Sequence, residues 1–266
     1  MDNKIIIINS RCGLCNRLRF MLQFFKILKV KKIIHKKSIY VIWPIDEMCN
    51  GFYLDYFQNI QDNIIFLKNE KDLENYIRAK KLKKIKKFND INFKFILSKE
   101  KNYLQYNFLK INRNLYDKIK NIIKKMDNKY ISVHVRRTDL DKHLLGYRKE
   151  LNHKRTSDEE FFKFVRKYKD YSLYIATDNY ETQELFIKKF KKRIKYIKII
   201  KNVKDRRKTN LEDAIIDLFV CSCGHKFKGT FFSSFSDFIK LIRLHIDENR
   251  RVDKKRNPLR SLKMFI

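Results

Sequence analysis

The chain has 266 residues, and its 44% of hydrophobic residues is enough for a sizeable core, which excludes a wholly disordered protein. Lysine and arginine outnumber aspartate and glutamate by 63 to 30, so the formal net charge is +33. Lys, Ile, Asn, Phe and Tyr are abundant while Gly and Pro are scarce. This bias points to an A/T-rich coding sequence more than to selection for a polyanionic partner.

The cysteines and the apolar runs bear on the cellular compartment. The five cysteines are an odd number in a long chain, which is not typical of a secreted disulfide scaffold. The first apolar run, Ile5–Ile8, is too short for a signal peptide or a membrane anchor, and no later run approaches the roughly 18 residues of a spanning helix. We therefore expect a cytoplasmic protein without a membrane span.

The first half alternates apolar runs with helical patterns, which is typical of a parallel α/β domain. Gly13 is available for the positive φ of a tight turn between the first strand and the first helix. The predicted strands are Lys4–Ile8, Ile39–Trp43, Asn63–Leu67 and Phe93–Leu97, and the predicted helices are Leu18–Val30, Phe52–Ile60, Asp72–Lys87 and Leu115–Met126.

The second half repeats the alternation, beginning with a buried strand at Tyr130–Val135. Ser157, followed three residues later by Glu160, predicts a helix start. Residues 139–156 are predicted as a polar loop. The further predicted strands are Tyr171–Ala176, Ile194–Ile200 and Lys226–Gly229, and the further predicted helices are Phe161–Lys169, Glu181–Lys192, Asn210–Val220 and Asp237–His245.

These patterns predict an α/β fold with two Rossmann-like domains that face a cleft. The expected domains are residues 1–126 and 127–246, followed by a loosely held basic tail at 247–266.

Polar side chains follow three strands of the second half. Arg136 and Arg137 end the first, and guanidinium forks match phosphate oxygens two at a time. Ser233 and Ser234 open a helix after the last strand, where unpaired N–H groups favour phosphate. Asp178 follows the middle strand and suits a guanine edge or a ribose hydroxyl. Together they predict a nucleoside diphosphate pocket, although a strand end with solvated arginines is the plain alternative.

The same residues carry a family resemblance. The segment His134–Asp139 matches an HxRR motif, Ala176–Asp178 matches an ATD motif, and Gly229–Ser234 resembles a third motif with one extra phenylalanine. The segment Arg11–Leu18 is similar to a GLGNRL loop. In this order the motifs resemble the fucosyltransferase superfamily, which includes α1,6-fucosyltransferases, nodulation fucosyltransferases and protein O-fucosyltransferases.

The resemblance implies a GT-B-type glycosyltransferase that transfers fucose from GDP-fucose to a glycan or protein acceptor, with inversion and without a metal or other cofactor. The second domain would bind the GDP-sugar and the first would serve the acceptor. Arg136 would bind the β-phosphate and act in catalysis. The implied donor-binding residues are His134, Arg137, Asp178, Thr230, Ser233 and Ser234, with Gly13, Asn16 and Arg17 from the first domain.

The chain departs from the α1,6 enzymes after the central motif, because Leu140 and Leu144 stand where those enzymes have a lysine and a glutamate. The catalytic base is therefore open. Its candidates are Asp139 and Asp46, with Asp141 and Glu47 as further carboxylates.

Other interpretations remain open at this point. Asp139 and Asp141 have the DxD form of a divalent-metal site. Cys12 and Cys15 form a CxxC pair that suggests a redox site, or a zinc site together with the Cys221–His225 segment. The charge alone suggests nucleic acid, but no recognised nucleic-acid motif accompanies it, and we expect none as a partner. A protein that binds the nucleotide without transferring sugar is the remaining alternative.

Overall fold

A computed structural model describes residues 4–8, 12–79, 85–89, 104–137, 146–199, 210–249 and 256–266. The chain forms two compact units, Met1–Asn112 with Phe265 and Arg113–Met264 with Ile266. Each unit contains a four-stranded sheet in which all strands are parallel. The helix predicted at Leu115–Met126 lies in the second unit, whereas the expected first domain extends to residue 126.

The first unit has the strand order β3-β2-β1-β4. Every residue of β2 is buried, as expected for a strand in the middle of a covered parallel sheet. Its elements are β1 (Lys4–Ile8), α1 (Leu14–Val30), β2 (Ile39–Ile42), β3 (Ile64–Leu67), α2 (Glu70–Ala79) and β4 (Ile85–Asn89).

Three predictions for the first unit are wrong. The helix predicted over Asp72–Lys87 ends at Ala79, and its last residues form strand β4, because pairing with β1 overrides the local helical pattern. The helix predicted at Phe52–Ile60 is one 3₁₀ turn. Gly13 caps α1 at φ −68°, so the turn does not use a positive φ there. The strand predicted at Phe93–Leu97 lies outside the described residues.

The second unit has the strand order β7-β6-β5-β8. Numbered within each unit, both sheets therefore have the same order, 3-2-1-4. The central strand and the last strand have the predicted bounds. The elements are α3 (Arg113–Lys124), β5 (Tyr130–Val135), α4 (Tyr147–Thr156), α5 (Asp158–Lys167), β6 (Ser172–Thr177), α6 (Tyr180–Phe190), β7 (Ile194–Tyr196), α7 (Leu211–Cys223), β8 (Lys226–Gly229), α8 (Ser234–Glu248) and α9 (Pro258–Leu262).

Strand β5 has two chemically different faces. Ile131, Val133 and Val135 join a hydrophobic cluster with α5 and α6. On the opposite face, the Tyr130 hydroxyl donates to Val220 O and the Ser132 hydroxyl donates to Cys221 O, both on α7. Because side chains alternate along a strand, the residues that follow β5 inherit these two directions.

Helix boundaries in the second unit show what local patterns missed. The Ser157 cap is confirmed, since its side chain accepts from Glu160 N–H at the start of α5. Helix α4 occupies the second half of the predicted loop at 139–156, so that part of the loop prediction is wrong. Helix α8 begins at Ser234, three residues before the predicted start, because Ser233 caps it.

The tail is anchored over residues 256–266, contrary to the predicted loose extension. Arg256 is buried and donates to Ser222 O and Gly224 O at the end of α7, and it pairs with Asp247 at 2.7 Å. Leu262 is fully buried beyond it. Arg243 on α8 donates to the same two carbonyls, so the tail adds a second arginine to the end of α7.

We predict that Arg256→Ala lowers the melting temperature by about 5–10 °C, because removing a buried, hydrogen-bonded cation costs about 2–4 kcal/mol in a unit of this size. Lys263→Ala is the control, since Lys263 is exposed on the same segment. Circular dichroism melts of both variants make the comparison. Equal midpoints for Arg256→Ala and the control would show that the tail is not anchored by this residue.

Candidate functional site

The carboxyl ends of β5, β6 and β8 meet at one edge of the second sheet. Strand β5 pairs with β6 on one side and with β8 on the other. The connection after β5 leads to β6 on one side, and the connection after β7 returns to β8 on the other side of β5. This reversal of direction is a topological switch point. Open α/β sheets bind their ligands in the crevice at such a point.

Thr230 joins the ends of β5 and β8. Its N–H and its hydroxyl both donate to His134 O, each at 3.0 Å. The same hydroxyl oxygen accepts the N–H of Arg136 at 2.9 Å. Thr230 is fully buried, so this bridge lies beneath the edge of the sheet.

Arg137 is held on the face that α5 covers. Its backbone N–H donates to Asp178 Oδ1 at 2.9 Å, at the end of β6. Its guanidinium pairs with Asp158 at 2.8 Å and lies 5.9 Å from the centre of the Phe161 ring. The guanidinium of Arg137 thus bonds to an acidic residue at the start of α5, and its expected contact with the donor stays a prediction.

Arg136 lies on the side of the sheet that is opposite to Arg137, where α8 packs. His134 packs against α8, and Arg136 lies two residues later on the same side of the strand. The charge of Arg136 is close enough to lower the pKa of His134. The N-terminus of α8 begins here with buried Ser233 as its cap and half-buried Ser234 as its first residue. A guanidinium and a positive helix end on one side of the sheet suit an anion.

His134 is a neutral ring that supports this end of the sheet. Burial, and secondly the charge of Arg136, lower its pKa to about 3. Nδ1 of His134 shares a hydrogen bond of 2.7 Å with the Ser236 hydroxyl, and the ring stacks on Phe235 at 4.7 Å. The predicted contact of His134 with guanosine stays a prediction.

Gly229 allows α8 to approach the end of β8. A Cβ at this position would lie 2.5 Å from Ser236 Oγ and 2.8 Å from the Phe227 ring. Only glycine therefore lets Ser236 reach His134.

The extra phenylalanine of the third motif is accommodated by unusual backbone geometry. Phe232 has a φ of +60°, a region that bulky residues rarely adopt. Phe231 lies beside it, and the guanidinium of Arg155 stacks 4.8 Å above the Phe231 ring. A pocket of about 430 Å³ adjoins these residues and is lined further by Lys154 and Lys228.

The site residues expected from the first unit have other partners. Arg17 is buried and donates to Cys12 O, Pro44 O and Asp46 Oδ2. Asp46 also accepts the N–H groups of Met48 and Cys49 on Oδ1. This network fixes the loop after β2, and the donor contact expected of Arg17 and the base role expected of Asp46 stay predictions.

The remaining candidates from the first unit and the central loop are placed as follows. Gly13 caps α1, Asn16 is exposed in its first turn, and Glu47 is exposed. Asp139 and Asp141 lie outside the described residues. Within the part of the chain that the structure describes, no group of three or more His, Cys, Asp and Glu side chains is arranged to hold a metal. The five cysteines are unbridged, and burial raises the pKa of Cys223 to about 12.

The family follows from a comparison of the whole chain. The family model described as GDP-fucose protein O-fucosyltransferase matches residues 8–245. The chain belongs to this family. The resemblance to the fucosyltransferase superfamily is therefore confirmed, although no curated protein sequence matches the chain significantly.

Solved fucosyltransferases share the fold. Fucosyltransferase NodZ from Bradyrhizobium has a TM-score of 0.58 at 12% identity, over 90% of this chain and 93% of NodZ. NodZ α-1,6-fucosyltransferase soaked with GDP-fucose gives the same score. POFUT1 in complex with GDP has a TM-score of 0.52 at 11% identity, over 97% of each chain. These structures confirm the predicted GT-B-type α/β fold of this fucosyltransferase-family chain. Among the helices that the structure describes, none has the length and hydropathy to span a bilayer.

Sequence reasoning missed three residues that support the site. Asp158 lies in the helix start predicted from Ser157 and Glu160, and it pairs with Arg137. Phe235 and Ser236 lie before the predicted helix Asp237–His245, and they hold the His134 ring. The spacing of Ser233 and Ser236 was the available signal, because a cap followed by a polar residue three positions later marks a helix start.

The low pKa of His134 predicts a pH effect on stability. Between pH 6.5 and about 3 the unfolded chain binds a proton on His134 that the folded protein does not bind. Stability therefore falls as pH falls through this window, by up to about 1.4 kcal/mol per pH unit from this ring.

We expect His134→Asn to flatten this dependence, since asparagine does not titrate. Urea unfolding between pH 5 and 6.5 measures the slope for the variant and the unchanged protein. His225 and His245, whose pKa values are also lowered by burial, are common to both proteins and cancel in the comparison. Parallel slopes would contradict the assignment of a buried neutral ring to His134.

Proposed function

We propose that this protein transfers fucose from GDP-fucose to a hydroxyl group of a glycan or protein acceptor. Membership of the O-fucosyltransferase family over residues 8–245 supports the reaction class. The observation that carries the site assignment is the bond from the Arg136 N–H to Thr230, three residues before the cap of α8, at the switch point of the second sheet. A donor diphosphate placed there would meet positive charge from Arg136 and from the N-terminus of α8.

Arg136 would act on the leaving group. As the acceptor oxygen forms a bond to the anomeric carbon, the bond from that carbon to the β-phosphate oxygen breaks and its electron pair passes to GDP. Attack opposite the leaving group inverts the anomeric configuration. A guanidinium held beside the β-phosphate stabilises the charge that develops there, which is often the largest single catalytic contribution.

Asp178 would recognise the base. Its Oδ1 accepts the N–H of Arg137, and a carboxylate has about four lone-pair positions, so the same group can accept further donors. Guanine presents two adjacent N–H donors on one edge, whereas uracil and adenine do not present this pair to a carboxylate. The half-buried position of Asp178 at the end of β6 is consistent with this contact.

The acceptor base is to be sought after the central motif. Both oxygens of Asp46 are bonded within its own unit, Oδ2 to Arg17 and Oδ1 to two backbone N–H groups. We propose Asp139 for this role, since it follows Arg137 by two residues. Positive charge from Arg136 and the helix end would replace a metal ion on the diphosphate.

Donor selectivity tests the proposed function. We expect GDP to raise the melting temperature of the protein more than UDP or ADP does at equal concentration, because only guanine pairs with Asp178. Incubation with GDP-fucose should release GDP, and EDTA should not abolish the release. GDP binding without release of GDP from GDP-fucose would favour the alternative of a nucleotide-binding protein without transferase activity. Equal shifts for the three nucleotides would refute the base assignment.

Substitution of Arg136 tests the mechanism. We expect Arg136→Lys to reduce fucose transfer or donor hydrolysis at least 100-fold with little change in melting temperature, because lysine lacks the planar fork that matches phosphate. The matched control is Arg166→Lys, an exposed arginine on α5 that pairs with Glu159. A fully active Arg136→Lys variant would remove this residue from the proposed mechanism.

A further inference from the structure

The backbone N–H groups of Arg136 and Arg137 donate to side chains that follow the two neighbouring strands. Thr230, after β8, accepts the N–H of Arg136, and Asp178, after β6, accepts the N–H of Arg137. These two N–H groups lie just beyond the last residue of β5, where the sheet no longer supplies backbone partners. Side-chain oxygens therefore replace the backbone acceptors of the sheet at these two residues.

The Thr230 hydroxyl has no donor left for a ligand. A hydroxyl carries one hydrogen, and here it points to His134 O at 3.0 Å. The oxygen accepts from Arg136 at 2.9 Å, and the side chain is fully buried. If the Thr230 hydroxyl donated to a phosphate, it could no longer donate to His134 O. That carbonyl would then keep only the bond from the Thr230 N–H. This arrangement is different from the donor-binding role expected from the motif.

We propose that Thr230 is a positioning residue that fixes the backbone of Arg136 and so aims its guanidinium at the donor diphosphate. The proposal rests on the function proposed above for Arg136. The next residue is fixed independently, because the backbone of Arg137 is bound to Asp178 and its guanidinium to Asp158. Arg136 thus lies between two anchored positions, and the Thr230 hydroxyl sets the peptide plane that precedes its Cα.

A small change in the orientation of this peptide plane displaces the guanidinium of Arg136 by a larger distance, because the side chain is long. A displacement of about 1 Å in a reacting group can reduce catalysis about 100-fold. Supporting hydrogen bonds are what hold a functional side chain within its productive geometry. A threonine methyl also occupies the buried site, so the β-branched side chain has few rotamers in which the hydroxyl can move away.

Amide exchange at Arg136 tests the contact without any ligand. We expect Thr230→Val, which has nearly the same shape without the hydroxyl, to raise the exchange rate of the Arg136 amide at least 10-fold in NMR of protein labelled with ¹⁵N-arginine. Thr230→Ser, which keeps the hydroxyl, should leave it within 3-fold. The Arg137 amide is the internal control and should not change. Unchanged exchange at Arg136 in Thr230→Val would overturn the proposal.

A double-mutant cycle separates positioning from direct phosphate binding. We expect Thr230→Val to weaken GDP affinity about 10-fold and lower the rate of GDP release from GDP-fucose further. In an Arg136→Ala background the same change should alter GDP affinity less than 2-fold, because its effect passes through the arginine. A loss of similar size in both backgrounds would show that Thr230 binds the donor directly, and would overturn the proposal.

Further variants keep both measurements decisive. Thr230→Ala replaces Thr230→Val if the valine methyl prevents folding, and Thr182→Val is the control for loss of a hydroxyl at a buried threonine elsewhere in the unit. If the unchanged protein binds no GDP, the proposed function fails. The amide exchange of Arg136 still decides whether Thr230 holds this backbone, so the two failures are distinguishable.

Discussion

Parallel pairing of β5 between β6 and β8 is the constraint on which the site depends. It brings three strand ends together that are far apart in the chain, since His134 and Thr230 are separated by 96 positions in the sequence. The hydrophobic cluster on one face and the bonds to α7 on the other fix the register of β5. A slip of one residue would exchange the two faces and turn Arg136 away from α8.

The alternation of β5 directs the two adjacent arginines to opposite faces of the sheet. Arg137 is directed to the hydrophobic face, where Asp158 and the Phe161 ring accommodate its charge. Arg136 is directed to the face of α8, where a helix N-terminus adds positive charge. Two like charges on one face would repel one another, and the alternation places these two on opposite faces.

Neutral groups complete the surroundings of the proposed phosphate site. His134 stays uncharged because burial disfavours its cation and Arg136 repels it. Its partner Ser236 reaches it only because Gly229 leaves room between β8 and α8. In this way the third motif supplies packing space and a backbone bridge through Thr230, and the groups proposed to bind the anion come from the helix start that follows it.

The sequence alone determined the alternation of strands and helices, the family, and the three polar strand ends, because buried strands and capping residues such as Ser157 leave local signals. It did not determine strand β4 or the anchored tail, since each depends on partners distant in the chain: β1 for the first, and the carbonyls at the end of α7 for Arg256. Helix α4 was also not predicted. Nor did the sequence show that Arg136 and Arg137 point to opposite faces, or whether Thr230 contacts the donor or holds the backbone of Arg136. Adjacent residues look alike in a motif, and only the direction in which the folded strand points each side chain decides which groups it can reach.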